Sequence, residues 1–336
     1  MRRKSPMLWT VLFLALLLVM AAAAGCGGSS SSSSGASSSS AATASLTADQ
    51  IVQQSAEKMK DVKSATVTAN VALAVQGDSS KMTDPTQKAL LSQGVSLHVD
   101  GKSQTSPMAA DMKLSVGLAG QNIDLGIIAD GDKAWVEYQG KYYKVDKKNT
   151  KSVTAVTGSG LSPMDQLKKE GLNIDKWGIK YELVGTEDMG GTQVYHVKAT
   201  VDTKAMAADL VKEMSSPALG KALGDPASAK QLQQSLAQNK AQIDQLSNSV
   251  KDVAGDYWYA VDTLYLTKAA WSVALDTKGQ KGMAGVNGMT LKADLAMSGF
   301  NEPVTVSPPA KALPFNTLMN QLLGGMAGGS ASSLGL

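Results

Sequence analysis

The chain has 336 residues, with 32 Lys and Arg against 29 Asp and Glu, and a single cysteine. So even a balance excludes a surface built to displace counterions from nucleic-acid phosphates, and docking on anionic lipid by charge alone. One cysteine excludes an intrachain disulfide and a thiolate zinc cluster.

The first 25 residues read as a leader. Arg2, Arg3 and Lys4 precede an apolar run over residues 8–20, which is short for a membrane span. Ala23-Ala24-Gly25-Cys26 closes the run with small residues and resembles a bacterial lipobox. On this reading residues 1–25 are a lipoprotein signal peptide, and Cys26 is the lipidated new N-terminus. A general secretion signal with a chance cysteine is the alternative. Cleavage would remove three basic residues and no acids, leaving 29 of each sign. Export and a lipid anchor place the chain at the cell membrane, on its extracytoplasmic face, away from ATP and NAD, and no cofactor is expected. Residues 26–45 carry Cys26 and then almost only Ser, Gly, Ala and Thr. They read as a flexible tether with a reach of roughly 25 Å.

Residues 46–323 read as one domain. Thr47, with Gln50 three residues on, predicts a capped helix through about residue 62, with Ile51, Val52, Ala56 and Met59 at helical spacing. From Ala65 the period changes to two: Val67, Ala69, Val71, Leu73 and Val75 alternate with polar positions, as in a half-buried strand. Val95, Leu97 and Val99 repeat the pattern. So do Met108, Met112, Leu114, Val116 and Leu118 and, across a turn at Gly120, Ile123, Leu125 and Ile127. Those eight residues are the candidate lining of an apolar cavity. Residues 133–138 and 141–145 form a predicted hairpin around Gln139-Gly140, and further strands are expected at 179–186, 192–202, 257–266, 269–276 and 288–299.

Three helical stretches interrupt the strands. One opens at Ser162-Pro163 and stops at Gly171. Another spans 203–214, with Met206, Leu210 and Met214 on one face. The longest spans 226–253, with Leu232, Leu236, Ile243, Leu246 and Val250 on a narrow apolar seam. Residues 203–253 thus read as a helical insertion. Its seam could meet a coiled-coil partner, pack on the sheet, or lie over the cavity mouth as a lid. Residues 324–336, rich in Gly and Ser, read as a frayed tail. The predicted fold class is α+β, a large curved antiparallel sheet with helices on its concave side.

Little in the sequence points to catalysis or metal binding. His98 and His196 fall on the polar stripes of their strands and read as solvent-exposed, with no second ligand at metal spacing. Gly160-Leu-Ser162-Pro-Met164 lacks the closing glycine of a nucleophile elbow, and Ser162 reads as a helix N-cap. No metal site and no catalytic residue is nominated, and the chain does not read as an enzyme. Thirteen methionines follow residue 25, several on strand faces (Met108, Met112, Met289, Met297). They suit either ordinary core filling or an adaptable apolar surface.

Four stretches carry a family resemblance: Ser64-Ala-Thr-Val-Thr, Ala134-Trp-Val-Glu-Tyr-Gln-Gly-Lys-Tyr-Tyr-Lys-Val145, Tyr257-Trp-Tyr-Ala-Val-Asp262, and Gly299-Phe-Asn-Glu-Pro-Val-Thr-Val-Ser-Pro-Pro309. With the lipobox, they resemble the LppX/LprG lipoproteins of actinobacteria, related to the LolA and LolB carriers. The resemblance covers most of residues 46–315; the helical segment at 203–253 departs from the pattern. It implies a LolA-like half-barrel whose apolar cavity holds acyl chains. It also implies carriage of acyl lipids or lipoglycans through the cell envelope, with a membrane transporter as a candidate partner. A structural or sensory envelope lipoprotein, presenting a protein-interaction surface without a lipid ligand, is the alternative.

Overall fold

A computed structural model describes residues 46–82, 85–118, 120–146, 150, 174–214, 249–279 and 285–327. The leader, Cys26, the tether, the helix expected at 162–171, and Leu232, Leu236, Ile243 and Leu246 lie outside the described residues.

Helix α1 (Ala48–Lys60) begins as the sequence predicts. Thr47 Oγ1 accepts from the Gln50 amide at 3.3 Å, and Gln50 Oε1 accepts from the Thr47 amide at 2.9 Å. This capping box satisfies two amide donors that the helix itself leaves unpaired. Six strands interrupted by one short helix follow: β1 (Ser64–Gly77), α2 (Pro85–Gln93), β2 (Val95–Thr105), β3 (Met108–Leu118), β4 (Gln121–Asp130), β5 (Lys133–Tyr138) and β6 (Lys141–Lys144). The β5–β6 hairpin turns at Gln139-Gly140, both at positive φ, the geometry of a tight two-residue hairpin loop. The second half comprises β7 (Lys180–Met189), β8 (Thr192–Thr200), α3 (Thr203–Met214), β9 (Val250–Ala260), β10 (Leu266–Asp276), β11 (Val286–Ser298), β12 (Leu313–Pro314) and α4 (Phe315–Ala327).

Among the described residues, twelve strands share one sheet, in the order β12-β6-β5-β4-β3-β2-β1-β11-β10-β9-β8-β7. Two antiparallel meanders meet where β1 pairs with β11, from Thr66 opposite Ser298 to Gln76 opposite Gly288. Only the two-residue β12 is parallel to its neighbour; its Pro314 is tolerated at a sheet edge, where no ladder donor is needed.

Register makes one face apolar across the sheet. One row runs Leu125, Leu114, Val99, Ala69, Leu295, Ala269, Tyr257, Val197, Leu183. The next runs Ile123, Val116, Leu97, Val71, Ala293, Trp271, Gly255, Ala199, Tyr181. Neither row holds an acid, a base or an amide. At Gly255 a Cβ would lie 2.9 Å from Trp271 Cδ1, so the missing side chain makes room for the indole. The indole Nε1 donates to Tyr257 Oη at 2.9 Å.

The expected helix at 226–253 is corrected at its C-terminal end, since Val250 and Val253 belong to β9. They face Leu275 and Val273 of β10, residues two apart opposing residues three apart, because a bulge adds one residue to β9. An apolar spacing of three on a bulged strand imitates a helix turn. Two helices were not anticipated. Helix α2 is one short stretch with Leu90 buried. Helix α4 runs to Ala327, across the boundary that composition suggests at 324, and is held by Leu318 against Tyr143, Val136 and Val145.

The main core lies between α1 and the β8–β11 part of the apolar face. There Ile51 and Val52 meet Tyr259, Ala269, Trp271 and Ala293. Ser55, on the same stripe of α1, is fully buried, and its Oγ has no hydrogen-bond partner. Ile51→Ala should lower unfolding free energy by about 2–5 kcal/mol through transfer and cavity terms. Ser55→Ala, which removes an unsatisfied hydroxyl and improves helix propensity, should be neutral or stabilising by up to about 1 kcal/mol. Urea midpoints measure both, and a comparable loss in the two variants would contradict this packing.

Candidate functional site

Within the apolar face, all eight sequence-nominated residues fall on one side of β3 and β4. Leu114 opposes Leu125, Val116 opposes Ile123, and Met112 opposes Ile127. Met108 and Leu118 share their parity on β3. Burial is graded along the pair. Met112 and Ile127 are 5% and 7% exposed, and they cluster with Ala110 and Ala129. Met108, Leu114, Val116 and Leu125 are half-buried. Toward the β3–β4 turn, Ile123 and Leu118 rise to 38% and 43%.

Two of the described helices cover parts of this surface. Helix α1 covers the β8–β11 flank and α4 covers the β4–β6 flank through Leu318 and Phe315. Helix α3 lies against β9 and the Ile174–Trp177 turn, with its Met206 buried and the Trp177 indole donating to Asp209 at 3.0 Å. Between the flanks, large aliphatic side chains on β3 and β4 reach solvent. Such a surface has dispersion and area to offer a guest, and the two rows bring no charge or amide to bind a polar one. The methionines divide: Met112 and Met289 are buried core filling, whereas Met108 and Met297 are half-buried.

Alternation already marks Val95, Leu97 and Val99 as one face. Only the pairing of β2 with β3 sets Leu97 beside Val116 and extends the row through Val71. Val250, expected on the seam of a lid, instead continues the sheet face opposite Leu275. The histidines differ from one another. His98 is exposed, with Nδ1 2.7 Å from Asn70 Oδ1. His196, expected in solvent, has a side chain only 15% exposed between Glu187 and Asp256. A separate groove of about 520 Å³ lies at the β6–β12 edge, walled by Tyr142, Pro309 and Leu313 and flanked by Lys141 and Lys311.

A model of a family of unknown function, DUF6612, matches residues 47–181. No curated protein matches the chain. Among solved structures, the chain is similar to LprF from Mycobacterium bovis (14% identity, 79% of this chain and 97% of that one, TM-score 0.38). It is similar also to the lipoprotein LppX from Mycobacterium tuberculosis (16% identity, 76% and 96%, TM-score 0.33). A LolA superfamily protein from Nitrosomonas europaea matches at 9% identity over 79% and 96%, with a TM-score of 0.20. The architecture given above rests on this chain's own strand pairing.

The burial gradient makes a graded prediction. Met112→Asp should destabilise the domain by several kcal/mol, as an unpaired charge in a closed apolar site does. Ile123→Asp, at the open end, should stay within about 0.5 kcal/mol of the parent. Urea unfolding distinguishes them, and equal losses would mean that the face is closed along its whole length.

Proposed function

We propose that this chain is a membrane-anchored, extracytoplasmic lipoprotein that binds acyl chains on the open part of its apolar sheet face and carries lipid through the cell envelope. The observation that carries the reading is the one continuous apolar face, packed at both flanks and bare at Leu118 and Ile123. An acyl chain is the guest that such a surface favours: it needs no hydrogen-bond partner, and burying it gains about 0.8 kcal/mol per methylene. A charged headgroup would stay outside, since the rows hold no acid, base or amide to neutralise it. Binding, not catalysis, is the activity that follows. The lipobox-like Ala23-Ala24-Gly25-Cys26 supports a lipid anchor on Cys26, and the Ser- and Gly-rich stretch after it supports a tether. The similarity of four sequence stretches to the LppX/LprG lipoproteins points the same way, with lipids or lipoglycans as the ligand class and a membrane transporter as a partner.

Native mass spectrometry of the purified chain, followed by organic extraction, should return a non-covalently bound acyl species. Ile123→Asp and Leu118→Asp should keep the fold and weaken uptake of a fluorescent fatty acid by about tenfold or more, the equivalent of one aliphatic side chain's burial. A folded protein that neither retains nor takes up acyl chains would overturn the carrier reading and favour a surface for protein partners. Cys26→Ala should move the protein from the membrane pellet to the soluble fraction. Unchanged partitioning would refute the anchor and leave the binding site untouched.

A further inference from the structure

The opposite, polar face of β7–β10 holds a cross-strand network that lipid binding does not use. His196 on β8 has Nδ1 2.7 Å from Glu187 Oε1 of β7 and Nε2 2.8 Å from Asp256 Oδ1 of β9. Its ring stacks on the Trp258 indole of β9, with centroids 4.7 Å apart and planes 17° from parallel. On the far side of β9, Lys268 of β10 places Nζ 4.6 Å from the indole centroid. His196 and Lys268 are both register partners of Trp258, so the indole stands between the two. The indole Nε1 donates to the second oxygen of Glu187 at 3.1 Å. The other charged neighbours on this face are Lys198, in register with Asp256, and Glu182, in register with Lys198.

Ionised carboxylates only accept. A neutral imidazole has one N–H and could satisfy one of them; its other nitrogen would turn a lone pair toward a carboxylate oxygen at bonding distance. An imidazolium donates to both. It also sets a second cation against the indole, matching Lys268. We infer that His196 is held as an imidazolium, and that its second proton is a switch tying the edge strand β7 to the rest of the sheet. Strand β7 has a neighbour on one side only, and its ladder with β8 is interrupted by a bulge between Leu183 and Gly185. Side-chain ties therefore matter more there than between central strands. Loss of the Nδ1 proton breaks the bond to Glu187 and loosens β7 against β8, leaving the Trp258–Glu187 bond as the remaining side-chain tie.

The Glu187 carboxyl agrees with this arrangement. The hydrogen bond from His196, and then that from Trp258, holds it below its ordinary value of 4.5. A carboxylate lowered in the folded state contributes stability above its ordinary value and loses it as pH falls through the lowered one. The acid side of the network thus belongs to Glu187.

Imidazole ¹⁵N spectra at about pH 6 should show protons on both His196 nitrogens. From about pH 5 to about pH 9, β7 amides in the full chain should lose about fivefold in hydrogen-exchange protection, after correction for the intrinsic exchange rate. His196→Gln, neutral at every pH, should flatten that dependence. If His196→Gln does not fold, Glu187→Gln tests the same tie, since one acceptor then suffices for one N–H. A singly protonated ring at pH 6, unchanged protection of β7 across the range, or a variant that keeps the parent's dependence would each overturn the inference.

Discussion

The antiparallel pairing of β1 with β11 is the contact on which the rest depends. It joins residues 66–76 to residues 288–298, so the chain closes a loop of more than two hundred residues before this ladder forms. Closure entropy grows only slowly with loop length, and eleven cross-strand pairs offset it. Each meander pairs its own strands locally. Without β1–β11, however, each would end in a long unpaired edge, and α1, which precedes β1 in the chain, would not be tied to the β8–β11 face that it covers. The pairing also sets phase. A slip of one residue would send the β8–β11 half of each apolar row to the polar face.

Given that phase, one surface is used in three ways. Helix α1 packs on one flank with aromatic partners, where Gly255 leaves room for the Trp271 ring and the Tyr257 hydroxyl oxygen accepts from the indole N–H. Helix α4 packs on the other through Leu318, with the Tyr143 hydroxyl donating to Gln321 Oε1 at 3.1 Å. Between them the β3–β4 hairpin passes from alanine-lined and closed at Ala110 and Ala129 to partly exposed at Leu118 and Ile123. Large aliphatic side chains brought to solvent by a rigid sheet suit the proposed binding role, because the backbone is already ordered and a guest would cost it little further entropy.

The outer face is polar, and its chemistry varies along the sheet. On β1 and β2, polar pairs such as Thr68 with Asp100 at 2.8 Å and Asn70 with His98 at 2.7 Å lie in solvent. Each contributes roughly 0.2–1 kcal/mol, as cross-strand pairs do. On β7–β10 the same kind of position is crowded by Trp258. The ring shields His196 and Glu187 from water on one side and strengthens their mutual contact. A bulky aromatic beside an otherwise ordinary strand histidine separates the two environments.

Local features were legible wherever the period was regular. The capping box at Thr47, the alternation of β1 to β4 and the Gln139-Gly140 turn each depend on residues within a few positions, so the sequence alone determines them. Legibility failed where a longer-range contact overrode a local pattern. Val250 and Val253 keep a helical spacing and belong to a strand, because a bulge against Leu275 absorbs one residue. Helix α4 extends into a glycine-rich stretch because Leu318 has a pocket on β5 and β6 to fill. His196 reads as a surface residue until β7 and β9 bring carboxylates to both of its nitrogens. Alternation can say that Met112 and Ile123 point the same way. That one is sealed and the other bare depends on which elements cover the sheet, and coverage is set by tertiary packing among segments far apart in the chain.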